Sequence, residues 1–138
     1  MNDYKALNRQ VIEEFRANEG KVGGPLEGAP LLLLTTTGAK SGKQRINPLA
    51  YHTDGERLVV IASKNGAPTH PDWYHNLVAH PDVSVEVGTE SFEARATVVE
   101  GGERDELYAK RVAVMPTFAE YQAMTTHIIP VGMLTRKA

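Results

Sequence analysis

The sequence predicts a single α+β domain in which five or six antiparallel strands, with helices between them, close into a small barrel. Three observations lead there. Val83, Val85 and Val87 alternate with polar residues, and Phe92, Ala94, Ala96 and Val98 continue the alternation, the period of two expected of half-buried strands. Asp54-Gly55 separates two apolar runs and is a dipeptide favoured in tight hairpin turns, whose central residues take positive φ. At 138 residues the chain is long enough for one core and too short for two.

The elements follow in order. Tyr4, Leu7, Val11, Ile12 and Phe15 recur at helical spacing, which predicts an amphipathic helix from Asp3 to Ala17, within residues 1–18. Its polar face carries Lys5, Arg9, Glu13, Glu14 and Arg16, and its role is to cap one end of the sheet. Asn18 to Pro30 holds four glycines and two prolines and reads as irregular. Leu31 to Thr37 is a strand, an apolar run followed by β-branched threonines. Ile46 to His52 and Leu58 to Ala62 form the arms of the hairpin. Pro71 opens a short helix over Asp72 to Ala79, where a missing N–H costs least. Two strands, around Val83 to Val87 and Glu90 to Val99, come next and end at Gly101-Gly102. Helices over Glu103 to Val114 and Thr117 to Met124 precede a last strand, Ile128 to Leu134. No repeat or linker divides residues 1–138.

Composition removes several functions. The 15 basic and 17 acidic residues, net charge -2, disfavour general nucleic-acid binding. With no Cys there is neither a disulfide nor a thiolate, which fits a reducing cytoplasm. The charged N-terminus lacks the apolar region of a secretory signal, and the run Leu31 to Leu34 is far too short to span a bilayer. The expectation is a cytoplasmic protein with at most peripheral contact at the inner face of the membrane.

Against that acidic balance, one stretch is basic. No acid occurs from Gly28 to Thr53 or from Arg57 to Pro71, while Lys40, Lys43, Arg45, Arg57 and Lys64 all fall between Gly28 and Pro71. A local positive field in a chain of net negative charge points to an anionic ligand. Glycines in Gly38-Ala-Lys-Ser-Gly-Lys-Gln-Arg45 allow close approach of backbone N–H groups, and Lys and Arg supply charge-assisted bonds. Gln44 after Lys43 and the short spacing from Gly38 to Gly42 rule out a nucleotide-triphosphate loop. Ala62-Ser-Lys-Asn-Gly66 is a second candidate grip on the same anion. His70, His75 and His80, five apart, smear around a helix, so no metal site is expected. Nor is there a Gly-x-Ser-x-Gly elbow.

Together, Leu33-Leu-Thr-Thr-Thr-Gly38, Gly42-x-x-Arg45, Asn47-Pro-Leu49, Asp54-Gly55, Ala62-Ser-Lys64 and Pro71-x-Trp-Tyr-x-Asn-Leu77 resemble the deazaflavin-dependent nitroreductase family, from about Pro30 to the C-terminus. The resemblance implies an antiparallel split β-barrel of the flavin-reductase kind with flanking helices, working as a monomer or homodimer. It implies coenzyme F420 as cofactor, whose phosphate and oligoglutamate tail would need such a basic loop. Lys40, Gly42 and Arg45 would hold phosphate and tail; Asn47, Pro48 and Leu49 would line the deazaflavin ring. Ala62, Ser63, Lys64 and Gly66 would grip the ring edge and phosphate side, and Trp73 and Asn76 would form the pocket wall. The implied reaction is hydride transfer from the reduced cofactor to a small electron-poor acceptor, namely a quinone, an enone or lactone, or a nitroaromatic. Ser63 or water would supply a proton. Met115, Phe118 and Tyr121 would face the acceptor, two of them replacing family tyrosines. The alternatives are an FMN-dependent split-barrel oxidoreductase and a non-catalytic F420 carrier.

Overall fold

A computed structural model describes residues 3–20, 30–63 and 70–137 of the chain. The amphipathic helix α1 (Asp3–Ala17) is followed by β1 (Leu31–Thr37), β2 (Gln44–Ala50), β3 (His52–Asp54) and β4 (Arg57–Ile61). Helix α2 (Asp72–Ala79) leads into β5 (Asp82–Val87) and β6 (Glu90–Val99), and α3 (Gly101–Val114) and α4 (Thr117–Ala123) precede β7 (Val131–Arg136). The irregular stretch expected before Pro30 lies mostly outside the described residues, as do the side chains of Tyr4 and Leu7.

All pairings are antiparallel, in the order β2-β1-β5-β6-β7-β4-β3. The two edge strands are consecutive in the chain, separated only by Tyr51. One stretch, residues 44–54, therefore pairs with β1 at one end and β4 at the other. A sheet whose two edges are one continuous segment has to curl on itself. The barrel is closed by the chain rather than by a β2–β3 hydrogen-bond ladder. The sequence predicts one strand from Ile46 to His52 and a total of five or six. The break at Tyr51, where the segment changes partner, makes seven.

Alternation sorts the apolar residues onto two faces. Leu32 and Leu34 of β1, Val60 and Ala62 at β4, Val83 and Val85 of β5, Ala94 and Ala96 of β6 and Leu134 of β7 pack with Trp73 and Leu77 of α2 as the barrel interior. On the outside, Val11 and Phe15 of α1 cover Leu31 and Leu33. Leu107 and Tyr108 of α3 cover Val59, Ile61, Val131 and Met133. Complete burial of Leu32, Leu33 and Leu34 in succession follows from these two layers.

The hairpin forms one residue later than predicted. Asp54 pairs with Arg57, leaving Gly55 and Glu56 as the central residues, and only Gly55 has positive φ, +63°. Glycine at the first central position is the type II′ requirement, so the strand twist is matched without forcing Asp54 out of the β region. The last strand starts at Val131, after Pro130. Among the described residues no helix is long and apolar enough to cross a membrane.

Candidate functional site

The connection from Gly38 to Lys43 is a self-tied loop. The Gly38 N–H donates to the Lys43 carbonyl at 2.7 Å, Gly42 N–H to the Gly38 carbonyl at 3.0 Å, and Lys43 N–H to Ser41 Oγ at 3.1 Å. A Cβ on Gly38 would stand 2.5 Å from Ser41 Oγ and 3.2 Å from the Lys43 carbonyl, and Gly42 has φ +72°. Both glycines are demanded by this turn.

Asn76 of α2 fixes the loop in place. Its Oδ1 accepts the Ala39 N–H at 2.9 Å, and its Nδ2 donates to Thr36 Oγ1 at 3.1 Å. Helix α2 buries Trp73, Asn76 and Leu77 on one face, so the amide is held by the same packing that fills the barrel. A buried amide bonded through both its oxygen and its nitrogen is a rigid clamp between helix, strand and loop.

Beside this clamp lies a cleft of about 870 Å³, walled by the loop, β2, α1 and α2. Lys40, Arg45 and Asn47 line it from the loop and β2, Arg9 from α1, and Asp72, His75 and Asn76 from α2. Among the described residues, three cations thus face one acid. No carboxylate among the described residues pairs with Arg9, Lys40 or Arg45; the ion pairs there use Arg16, Arg57, Arg95, Arg104, Lys110, Arg136 and Lys137. Unpaired, exposed cations around a concave surface attract an anion rather than stabilise the fold.

The predicted site residues separate into groups. Lys40, Arg45, Asn47 and Asn76 meet at the cleft. Gly42 shapes the loop. The register Leu32↔Leu49, Leu34↔Asn47 and Thr36↔Arg45 puts Leu49, Asn47 and Arg45 on the barrel's inner side, with Leu49 packed against the core. Pro48, paired with Leu33, alternates to the outer side. Ala62 and Trp73 are core residues, and Ser63 follows β4, 8% exposed. Lys64 and Gly66 lie outside the described residues. Phe118 and Tyr121 pack on the α3 pad, their rings 5.1 Å apart, while Met115 is exposed beside them. The Tyr108 hydroxyl donates to the Phe118 carbonyl at 2.5 Å, tying α4 to α3. None of Met115, Phe118 and Tyr121 lines the cleft.

Sequence reading missed Arg9, Asp72 and His75 as lining residues. Arg9 stood on the polar face of its helix, and nothing local says that α1 packs against β2. It also missed a histidine cluster: the His70 ring is 4.5 Å from that of His127 and 5.8 Å from that of His75. Burial, then the neighbouring His127 and His75, holds the His70 pKa below the ordinary value.

Comparison with known proteins adds a family to this geometry. The model of the family described as F420H(2)-dependent quinone reductase matches residues 7–136. The F420H(2)-dependent quinone reductase Rv1261c of Mycobacterium tuberculosis is 40% identical over 129 residues, covering 89% of this chain and 85% of its own. Among solved structures, an F420-H2 dependent reductase (FDR-A) is 42% identical with a TM-score of 0.70, over 76% of this chain and 93% of its own. A second, described as a domain-swapped dimer, is 38% identical with a TM-score of 0.73, over 91% of this chain and 95% of its own.

Proposed function

The chain belongs to the F420H(2)-dependent quinone reductase family, and on that premise we propose that it is an oxidoreductase passing a hydride from reduced coenzyme F420 to a quinone-type acceptor. The observation that carries the reading is the cleft with three unpaired cations, Arg9, Lys40 and Arg45, in a chain of net charge -2. The residues present fit the cofactor. A phosphate and a run of carboxylates need several cations and a groove, and about 870 Å³ lies within the range of cofactor sites.

When bound, coenzyme F420 supplies the hydride chemistry. The chain's own residues bind, orient and exclude water. Lys40 and Arg45 hold the anionic end by charge-assisted bonds, and the Asn76 clamp keeps their loop in one conformation, so little ordering entropy remains to be lost on binding. Asn47 presents its amide on the inner side of β2. Ser63 carries a proton on Oγ at the end of β4 and is the candidate donor to a reduced acceptor. The family points to a quinone as acceptor; methionine and phenylalanine at two positions that resemble the nitroreductase tyrosines leave fewer hydroxyl donors for a nitro or a quinone oxygen alike.

Steady-state oxidation of F420H2 with an added naphthoquinone tests the reading. Turnover that needs both compounds is expected. Tight binding of F420 with no acceptor-dependent oxidation would make the protein a carrier instead.

A further inference from the structure

Arg111 is the largest fully buried side chain among the described residues, 1% exposed, and it has no counter-charge. Its Nε and Nη2 have no hydrogen-bond partner. Nη1 reaches only the thioether of Met115, at 3.7 Å, and the guanidinium lies over the Phe118 ring at 5.4 Å from its centre. On β3, His52 pairs with Val59, which lies under Leu107 and Tyr108 of the same helix, and both its ring nitrogens are buried and unpartnered. Burial, Arg111 and Lys110 push the His52 pKa down to about 4, so at neutral pH its ring is uncharged and offers one N–H donor and one acceptor. The nearby acid, Asp54, is taken up by Arg57 at 2.7 Å and Lys110 at 3.5 Å.

A buried guanidinium with two unused N–H groups is rarely left so in a folded protein. Sulfur is a weak acceptor, and an oxygen taking its place would gain a charge-assisted bond. The cover is one side-chain layer thick: Met115 is 41% exposed, Phe118 is half-buried, and α4 buries none of its residues. Val114 at the end of α3, Met124 after α4 and Ile128 before β7 are each strongly exposed.

We propose that Arg111 and His52 form a second binding site, separate from the Arg9–Lys40–Arg45 cleft, for an apolar ring bearing a compact anionic oxygen. The ring takes the place of Phe118 or Met115 against the pad, and the oxygen accepts from Arg111 Nε and Nη2. The shared chemistry covers a dissolved aromatic carboxylate and a dissolved phenolate. Neither requires the cofactor, so the site is tested on the cofactor-free full chain.

Thermal unfolding is followed with sodium benzoate, sodium chloride at equal ionic strength, and uncharged benzamide. At about ten times its Kd, benzoate should raise the Tm of the parent by about 4 °C, with saturation, while chloride and benzamide should not. Arg111→Met should abolish the benzoate shift. Phe118→Ala, which keeps the cation and thins its cover, should lower the benzoate Kd several-fold and keeps the test open if Arg111→Met does not fold. Equal responses to benzoate and chloride, or a benzoate shift that survives in Arg111→Met, would overturn the proposal, as would an unchanged benzoate Kd in Phe118→Ala. Failure here leaves F420 binding at the cleft untouched, since that titration is separate.

Discussion

Lowering the pH from 7 to 5 should destabilise this protein through His52, by up to about 2 kcal/mol. Both ring nitrogens are buried with no hydrogen-bond partner, and burial comes first, then the positive charges of Arg111 and Lys110, in holding its pKa at about 4 instead of 6.5; Asp54 opposes weakly. The folded chain thus resists a proton that the unfolded chain accepts. Stability from this group is complete above about pH 6.5 and is lost as the pH falls towards 4. The loss approaches about 1.4 kcal/mol per pH unit; the full shift corresponds to about 3.4 kcal/mol, and solvent screening of a half-buried residue brings it to about 2 kcal/mol. Out of a total of about 5–15 kcal/mol, that is a large share. Urea unfolding at pH 7.5, 6.5, 5.5 and 4.5, for the parent and for His52→Leu, measures it. The variant removes both unpartnered nitrogens and should give a flatter curve over this window. His70 titrates with the same sign but is present in both proteins, so the difference between them reports His52. Asp54 and Asp82 are held below the ordinary carboxylate range, by Arg57 and by Lys137 respectively, and their loss begins only below about pH 4. Parallel curves for parent and variant would refute the reasoning.

Asn76→Ala removes the clamp between Thr36 and Ala39 and should cost about 1–3 kcal/mol in unfolding free energy, with weaker cofactor binding by titration because the loop is no longer ordered beforehand. Gly20→Ala places a Cβ 2.7 Å from the Gly88 Cα at a φ of +92°. Since backbone cannot yield as a side chain can, it should destabilise by about 2 kcal/mol or more, seen as a lowered urea midpoint. Tyr108→Phe cuts the bond to the Phe118 carbonyl and should loosen α4, read as faster amide exchange across Thr117–Ala123 with little change in the exchange of β1.

Local patterns carried much of this structure. Alternation in Val83–Val87 and Phe92–Val98 set the faces of β5 and β6 correctly, whereas Asn76 entered only through the family resemblance, and its place beside Trp73 and Leu77 on the buried side of α2 is seen in the structure. Leu107, Tyr108 and Arg111 likewise share one helix face, so a buried arginine was visible as a pattern though not as an anomaly. The rest depended on contacts distant in sequence. Tyr51 looks like any strand residue, and its break appears only because β1 and β4 draw the two halves of residues 44–54 apart. Arg9 reaches the cleft through the packing of Val11 and Phe15 on Leu31 and Leu33. His70 meets His127 only because α2 and the segment before β7 come to the same end of the barrel. At the cleft, the chemistry of Lys40 and Arg45 was readable, but which neighbours joined them was not.

The central claim is that the cleft of Arg9, Lys40 and Arg45 is an F420 site, and fluorescence titration of the parent and of Lys40→Ala/Arg45→Ala with coenzyme F420 and with FMN tests it directly. The parent should bind F420 well ahead of FMN, and the double variant should bind F420 about 100-fold more weakly, from the loss of charge-assisted bonds of about 1–3 kcal/mol each. A preference for FMN, or an unchanged F420 affinity in the double variant, would contradict it.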